Sequence, residues 1–148
     1  MAADGPNTAV DKFFAAYRSA DLAALLDVYA EEAIFEDVNQ RHRFEGRAQL
    51  EGFLGQLLGV HLHMEIEEKR RLVSDNTVTV EIEYVGTLDC AAVGLPGETQ
   101  DYRMPAVLIL EIEDGRILRQ TDYIDYRTFT EIQATVQKKI QAAASSGS

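Results

Sequence analysis

Two aspartates stand where a carboxyl could do acid–base work. Asp122 lies in the run Arg116–Tyr126, where it shares parity with Leu118, Ile124 and Tyr126. Side chains two apart on a strand face the same way, so this spacing predicts a carboxyl turned into an apolar interior. Deprived of water, such a group keeps its proton to higher pH, which suits a general acid or base near neutrality. The same residue also reads as a structural acceptor for a backbone amide or for Arg119. Asp37 follows the run Ile34-Phe35-Glu36. It reads either as a second catalytic carboxylate or as the cap of the loop after a strand, a common place for aspartate. Two carboxyls across one cavity have their pKa values driven apart, which divides acid and base roles between them.

Other candidates are weaker. His61, His63 and Glu65 alternate with Val60, Leu62, Met64 and Ile66. That spacing could set two imidazoles and a carboxylate on one side. With no further Cys/His cluster to complete a site, the expectation is a solvent-facing row and no metal. Tyr17, Tyr84 and Tyr126 read as polar handles in a cavity or as core tyrosines with satisfied hydroxyls. Cys90 opens an apolar, glycine-flanked loop that runs to Gly97, with no cationic neighbour in sequence to activate its thiol. The chain has no phosphate loop, dinucleotide fingerprint or serine-nucleophile motif, so no cofactor is expected.

The elements that would position these residues follow from the apolar periodicity. A helix is predicted from Thr8, where Thr8 and Asp11 have capping-box spacing, with Val10, Phe13, Phe14 and Tyr17 as its buried stripe. Asp21 can cap a second helix carrying Leu22, Leu25, Leu26 and Tyr29. Ala33 to Val38 reads as a short strand and Asn39 to Arg43 as a polar loop. Gly46 introduces a third helix, with Leu50, Phe53, Leu54, Leu57 and Leu58 facing inward. The pattern then changes to alternation. Strands are predicted around Val60–Glu67, Val78–Tyr84, Tyr102–Ile112 and Arg116–Tyr126, with hairpin turns at Asp75-Asn76 and Asp114-Gly115. A closing helix from about Thr130 would carry Ile132, Val136 and Ile140.

Helices first and a four-stranded antiparallel meander after them mean an α+β fold. A curled sheet packed on helices leaves a cone whose wide end can hold a ligand. Its wall is expected from Tyr17, Phe35, Phe53, Tyr84, Leu108, Leu118 and Ile124. The run Ala106–Leu110 is apolar on both faces. One monomer's helices cover only one of them, so a homodimer is expected.

Composition narrows the classes. The 148 residues, 46% of them hydrophobic, suit one folded domain over residues 1–141. Residues 142–148 read as a disordered low-complexity tail of the kind an expression vector adds. Fourteen basic against 25 acidic side chains give a net charge of −11, which disfavours nucleic acid. No apolar run reaches the roughly 18 residues of a membrane span. One cysteine and no secretory signal imply a cytoplasmic protein.

The layout resembles the SnoaL-like branch of the nuclear transport factor 2-like superfamily, whose members include limonene-epoxide hydrolase, ketosteroid isomerase, polyketide cyclases and polyether epoxide hydrolases. The matching stretches are Ala20-Asp21-Leu22, Val28–Ala33, Phe35-Glu36-Asp37, Phe44-Glu45-Gly46-Arg47, Asp114–Ile117 and Thr121–Asp125. The resemblance implies a cone-shaped α+β barrel. It also aligns Asp122 with the aspartate that protonates the epoxide in limonene-epoxide hydrolase. Asp37 matches the general base of ketosteroid isomerase and an acidic catalytic residue of the polyether hydrolases. Some features do not carry over. The isomerase's tyrosine donor falls at Phe13, and its protonated acid falls near Val107. The hydrolase's arginine falls at Thr87, while Asp89 matches its second aspartate and Glu65 the polyether glutamate. The resulting expectation is cofactor-free acid–base chemistry (epoxide opening, cyclisation or isomerisation) on a small apolar molecule. The alternative is a non-catalytic domain of the same fold that binds a hydrophobic ligand or a protein.

Overall fold

A proline at the first helical position gives up an N–H that would have no partner there, and its fixed φ suits the helix. Helix α1 (Pro6–Ser19) accordingly starts at Pro6 with Gly5 as its N-cap, two residues before the expected start, and no side chain caps it. Its buried stripe is the expected one, Val10, Phe13, Phe14 and Tyr17. Ala20 ends it in the left-handed region at φ 52°. Asp21 caps α2 (Leu22–Asp27) by accepting the Ala24 N–H at 3.1 Å. Tyr29, expected on this helix, instead opens a strand. The computed structural model describes residues 5–94 and 97–131 together with residues 138 and 142.

Six strands form one open sheet in the order β2-β1-β6-β5-β4-β3. They are β1 (Tyr29–Asp37), β2 (His42–Glu45), β3 (His61–Ser74), β4 (Thr77–Asp89), β5 (Thr99–Glu113) and β6 (Arg116–Ile124). Helix α3 (Arg47–Gly59) connects β2 to β3. Its N-cap, Gly46, sits at φ 84°, a conformation that excludes most side chains. The fold is α+β, as expected, but the sheet has two strands beyond the four-stranded meander. The loop expected at 39–43 is short enough for β2 to fold back on β1 as a hairpin, pairing Phe35 with Phe44. β1 in turn pairs with β6 in parallel. The sheet therefore curls around its helices without closing, and β2 and β3 remain as edges.

Both hairpin turns predicted from sequence are present, with Asp75 at φ 52°, Asp114 at φ 51° and Gly115 at φ 77°. A single 3-10 turn, Ala91–Val93, follows β4. Residues 127–131 are helical, which begins the closing helix slightly early. Ile132, Val136 and Ile140, and all of the expected tail except the helical Ala142, lie outside the described residues. The core is the concave face of the sheet packed on α1 and α3, with Phe13, Leu50, Leu54, Ile82, Leu108 and Leu110 fully buried. No described helix is long and apolar enough to cross a membrane.

Candidate active site

Parallel strands in register present paired residues to the same face, and this sets up the site. Asp37 on β1 pairs with Asp122 on β6, and the Val38 N–H donates to the Asp122 carbonyl at 3.1 Å. Both carboxyls are buried, Asp122 at 2% exposure and Asp37 at 6%, and both open onto the same cavity. Asp122 Oδ1 accepts from Gln120 Nε2 at 2.9 Å, and Gln120 Oε1 accepts from the Tyr29 hydroxyl at 2.5 Å. This buried relay fixes which way the Gln120 amide points. Burial pushes the Asp122 carboxyl up to about 8, the Gln120 hydrogen bond opposes that rise, and the Asp37 charge adds to it. Arg119 does not pair with Asp122; it reaches Glu36 at 3.3 Å and Glu111 at 3.8 Å.

Asp37 caps its loop and also reaches the cavity. Its Oδ1 accepts the Gln40 N–H at 3.1 Å, capping the turn after β1. Its Oδ2 accepts from the Tyr126 hydroxyl inside the cavity. Burial raises the pKa of the Tyr17, Tyr84 and Tyr126 hydroxyls, and so does the nearby Asp122 charge. These groups are neutral hydrogen-bond donors at any ordinary pH.

The cavity has a volume of about 260 Å³. Tyr17, Phe35, Phe53, Tyr84 and Ile124 line it. Leu108 and Leu118 do not. Leu108, the in-register neighbour of Asp122, is sealed in the core beneath. Leu118 is the extra residue of a bulge, because the β5–β6 register slips between Glu111 and Ile112. Such a bulge breaks the alternation that put Leu118 in parity with Asp122. Buried positions therefore run Ile117, Gln120, Asp122 and Ile124.

A second bulge moves His61. The β3–β4 register shifts between His61 and His63, and His61 turns into the cavity wall. His63 stays outside, 3.5 Å from Glu65. The three-residue row is therefore split, and no group of three His, Cys, Asp or Glu side chains among the described residues could hold a metal. Leu62 is consequently 62% exposed, although alternation had placed it inside. Asp89 caps the Ala91 N–H at 3.1 Å and does not reach the cavity. Alternation signals Gln120, in parity with Asp122, and Tyr102, in parity with Leu108 and Leu110, whereas the inward turn of His61 depends on a bulge and had no such signal.

A family model for the SnoaL-like domain matches residues 10–120. The chain belongs to the SnoaL-like family. Among solved structures, this SnoaL-like chain is similar to a protein from Shewanella denitrificans named as a SnoaL-like polyketide cyclase. The two share 20% identity and a TM-score of 0.79 over 88% of this chain and 96% of the other. A Pseudomonas putida protein named as a polyketide cyclase gives 23% identity and a TM-score of 0.75, over 86% and 97% of the two chains. One from Kribbella flavida named as a ketosteroid isomerase gives 19% and 0.62, over 81% and 77%. At these identities the likeness is one of fold. No curated protein sequence matches the chain.

Proposed function

We propose that this SnoaL-like protein carries out acid–base chemistry on a small apolar molecule in its cavity, without a cofactor, as an epoxide hydrolase, cyclase or isomerase. The observation that carries this reading is the in-register pair Asp37–Asp122, two carboxyls on adjacent parallel strands that face one apolar hollow. In this reading Asp122 is the acid. Held neutral to about pH 8, it gives its proton to an oxygen of the substrate. In an epoxide the C–O bond breaks as that proton arrives. Asp37 takes a proton from the attacking water or from an acidic carbon, with the Tyr126 hydroxyl holding its Oδ2 in place. Tyr17 and Tyr84 supply further donors at the wall. General acid and base groups of this kind contribute about 10²–10⁴-fold each. Asp122→Asn and Asp37→Asn should each lower turnover of a responsive apolar epoxide or enolisable ketone by that order while the fold is kept. Full turnover in the folded Asp122→Asn protein would refute the assignment.

One observation favours the second reading, a ligand-binding domain without catalysis. Among the described residues no Lys or Arg lines the cavity, and Thr87, at the hydrolase arginine's place, bonds to Asp101 at 2.8 Å. A panel in which apolar ligands bind tightly and none is turned over would support it.

A further inference from the structure

The cavity has a second polar pole that the acid–base reading leaves unused. His61 opens β3. It pairs with Leu88, and Leu88 pairs with Gln100 on β5, whereas Asp122 pairs with Leu108 on the same strand. Eight residues of β5 thus separate the two rows along the strand. The curl of the sheet brings both rows onto one cavity. A wall of aromatic rings joins the poles. The His61 ring lies 5.5 Å from that of Tyr102, Tyr102 lies 5.3 Å from Phe129, and Phe129 lies 6.4 Å from Tyr126. Tyr126 in turn bonds Asp37.

The His61 ring is fixed in orientation and in tautomer. Its Nδ1 is 2.7 Å from the Leu57 carbonyl, one of the last carbonyls of α3, which has no N–H of its own helix to accept from. A carbonyl can only accept, so Nδ1 carries the hydrogen and Nε2 carries the lone pair. Burial lowers the His61 pKa, and the hydrogen bond to the Leu57 carbonyl opposes that fall without reversing it. Nε2 has no hydrogen-bond partner among the described residues, yet it is not one of the buried polar atoms shut away from any opening. The Tyr102 hydroxyl is one of those, packed against Gly86, which leaves Nε2 of the cavity-lining His61 as an unpartnered acceptor among the described residues at this end.

We infer that His61 Nε2 is a specificity-determining acceptor for a hydroxyl group at the far end of the substrate. The inference rests on the acid–base reading and narrows its substrate class. The molecule is apolar in the middle, carries its reacting oxygen toward Asp37 and Asp122, and carries an O–H donor at the opposite end. A hydrocarbon with a single oxygen satisfies only one pole. His61 moves no proton in this scheme.

The test uses the intact protein and three probes of similar shape: 2,6-dihydroxynaphthalene, 2-naphthol and 2,6-dimethoxynaphthalene. One neutral hydrogen bond contributes a few-fold to about tenfold in affinity. The dihydroxy probe should therefore bind the wild type about five- to tenfold tighter than 2-naphthol. In His61→Leu that preference should vanish, and His61→Gln, which keeps an acceptor, should restore part of it. On the wild type itself, the nitrogen-15 resonance of unprotonated His61 Nε2 should move upfield with the dihydroxy probe and stay still with the dimethoxy probe. This last readout does not depend on any variant folding. A preference that survives His61→Leu, an Nε2 resonance indifferent to the hydroxyl, or no binding of any probe overturns the inference. The catalytic reading is judged separately, by turnover of Asp122→Asn, so either claim can fail without the other.

Discussion

Replacing Asp122 with asparagine should shift stability in the variant's favour by an amount that grows with pH. In the folded chain the Asp122 carboxyl keeps its proton up to about pH 8, against an ordinary value of 3.8 when unfolded. Between those two values the folded state binds a proton that the unfolded state has already released. The contribution of the protonated group is intact below pH 3.8, falls away as pH rises toward 8, and is gone above that. The slope is about 1.4 kcal/mol per pH unit for one whole proton. From pH 5 to pH 7 the wild type should lose about 2–3 kcal/mol from this source alone. Asparagine has no proton to lose, and its side-chain oxygen can still accept from Gln120 Nε2, which Asp122 Oδ1 does now at 2.9 Å. Urea denaturation of both proteins at pH 5, 6, 7 and 8 measures the difference directly, read from midpoints at constant slope. The variant should draw level or ahead as pH rises, and the gap should stop widening above about pH 8. Stabilities that run parallel across this range would mean that Asp122 is hydrated and ionised, and the reasoning would fail.

Three further outcomes follow from the geometry. Asp37→Asn removes the neighbouring charge that helps raise Asp122, so the pH at which wild-type stability levels off should move below about 8 in that variant; an unmoved profile would disconnect the two carboxyls. Gly86→Ala places a Cβ 2.6 Å from the His63 carbonyl oxygen and 2.7 Å from the Tyr102 hydroxyl. Such overpacking costs about 1–3 kcal/mol, and an unchanged denaturation midpoint would contradict it. We also propose that two copies pair through the convex face, where Val107 and Tyr123 stand side by side in register and Tyr123 is 46% exposed; sedimentation should find a dimer at micromolar concentration, and a stable monomer would refute this.

Periodicity carried the architecture. The 3.6-residue stripe of Val10, Phe13, Phe14 and Tyr17 and the period-2 runs around Met64–Ile66 and Val78–Tyr84 fall in the elements they predicted. The parallel β1–β6 pairing was not readable, because nothing local to Tyr29–Asp37 specifies a partner more than 80 residues away. That pairing sets Asp37 beside Asp122. Alternation alone located Asp122 on the inner face, although the bulge at Leu118 spoils the same argument four residues earlier. Strict alternation also sent His61 outward, and the slip between His61 and His63 reverses it. Periodicity registers the face a strand presents, whereas a bulge is one extra residue with no signature in composition.

The most direct measurement is a titration of the aspartate carboxyls themselves, by carbon-13 labelling and nuclear magnetic resonance. At pH 7 one aspartate resonance should still have the protonated shift and should titrate near 8. It should be missing from Asp122→Asn and should move when 2-naphthol fills the cavity. If every aspartate has instead released its proton by about pH 5, as water-exposed carboxyls do, Asp122 is an ordinary carboxylate and the chemistry assigned to this cavity is wrong.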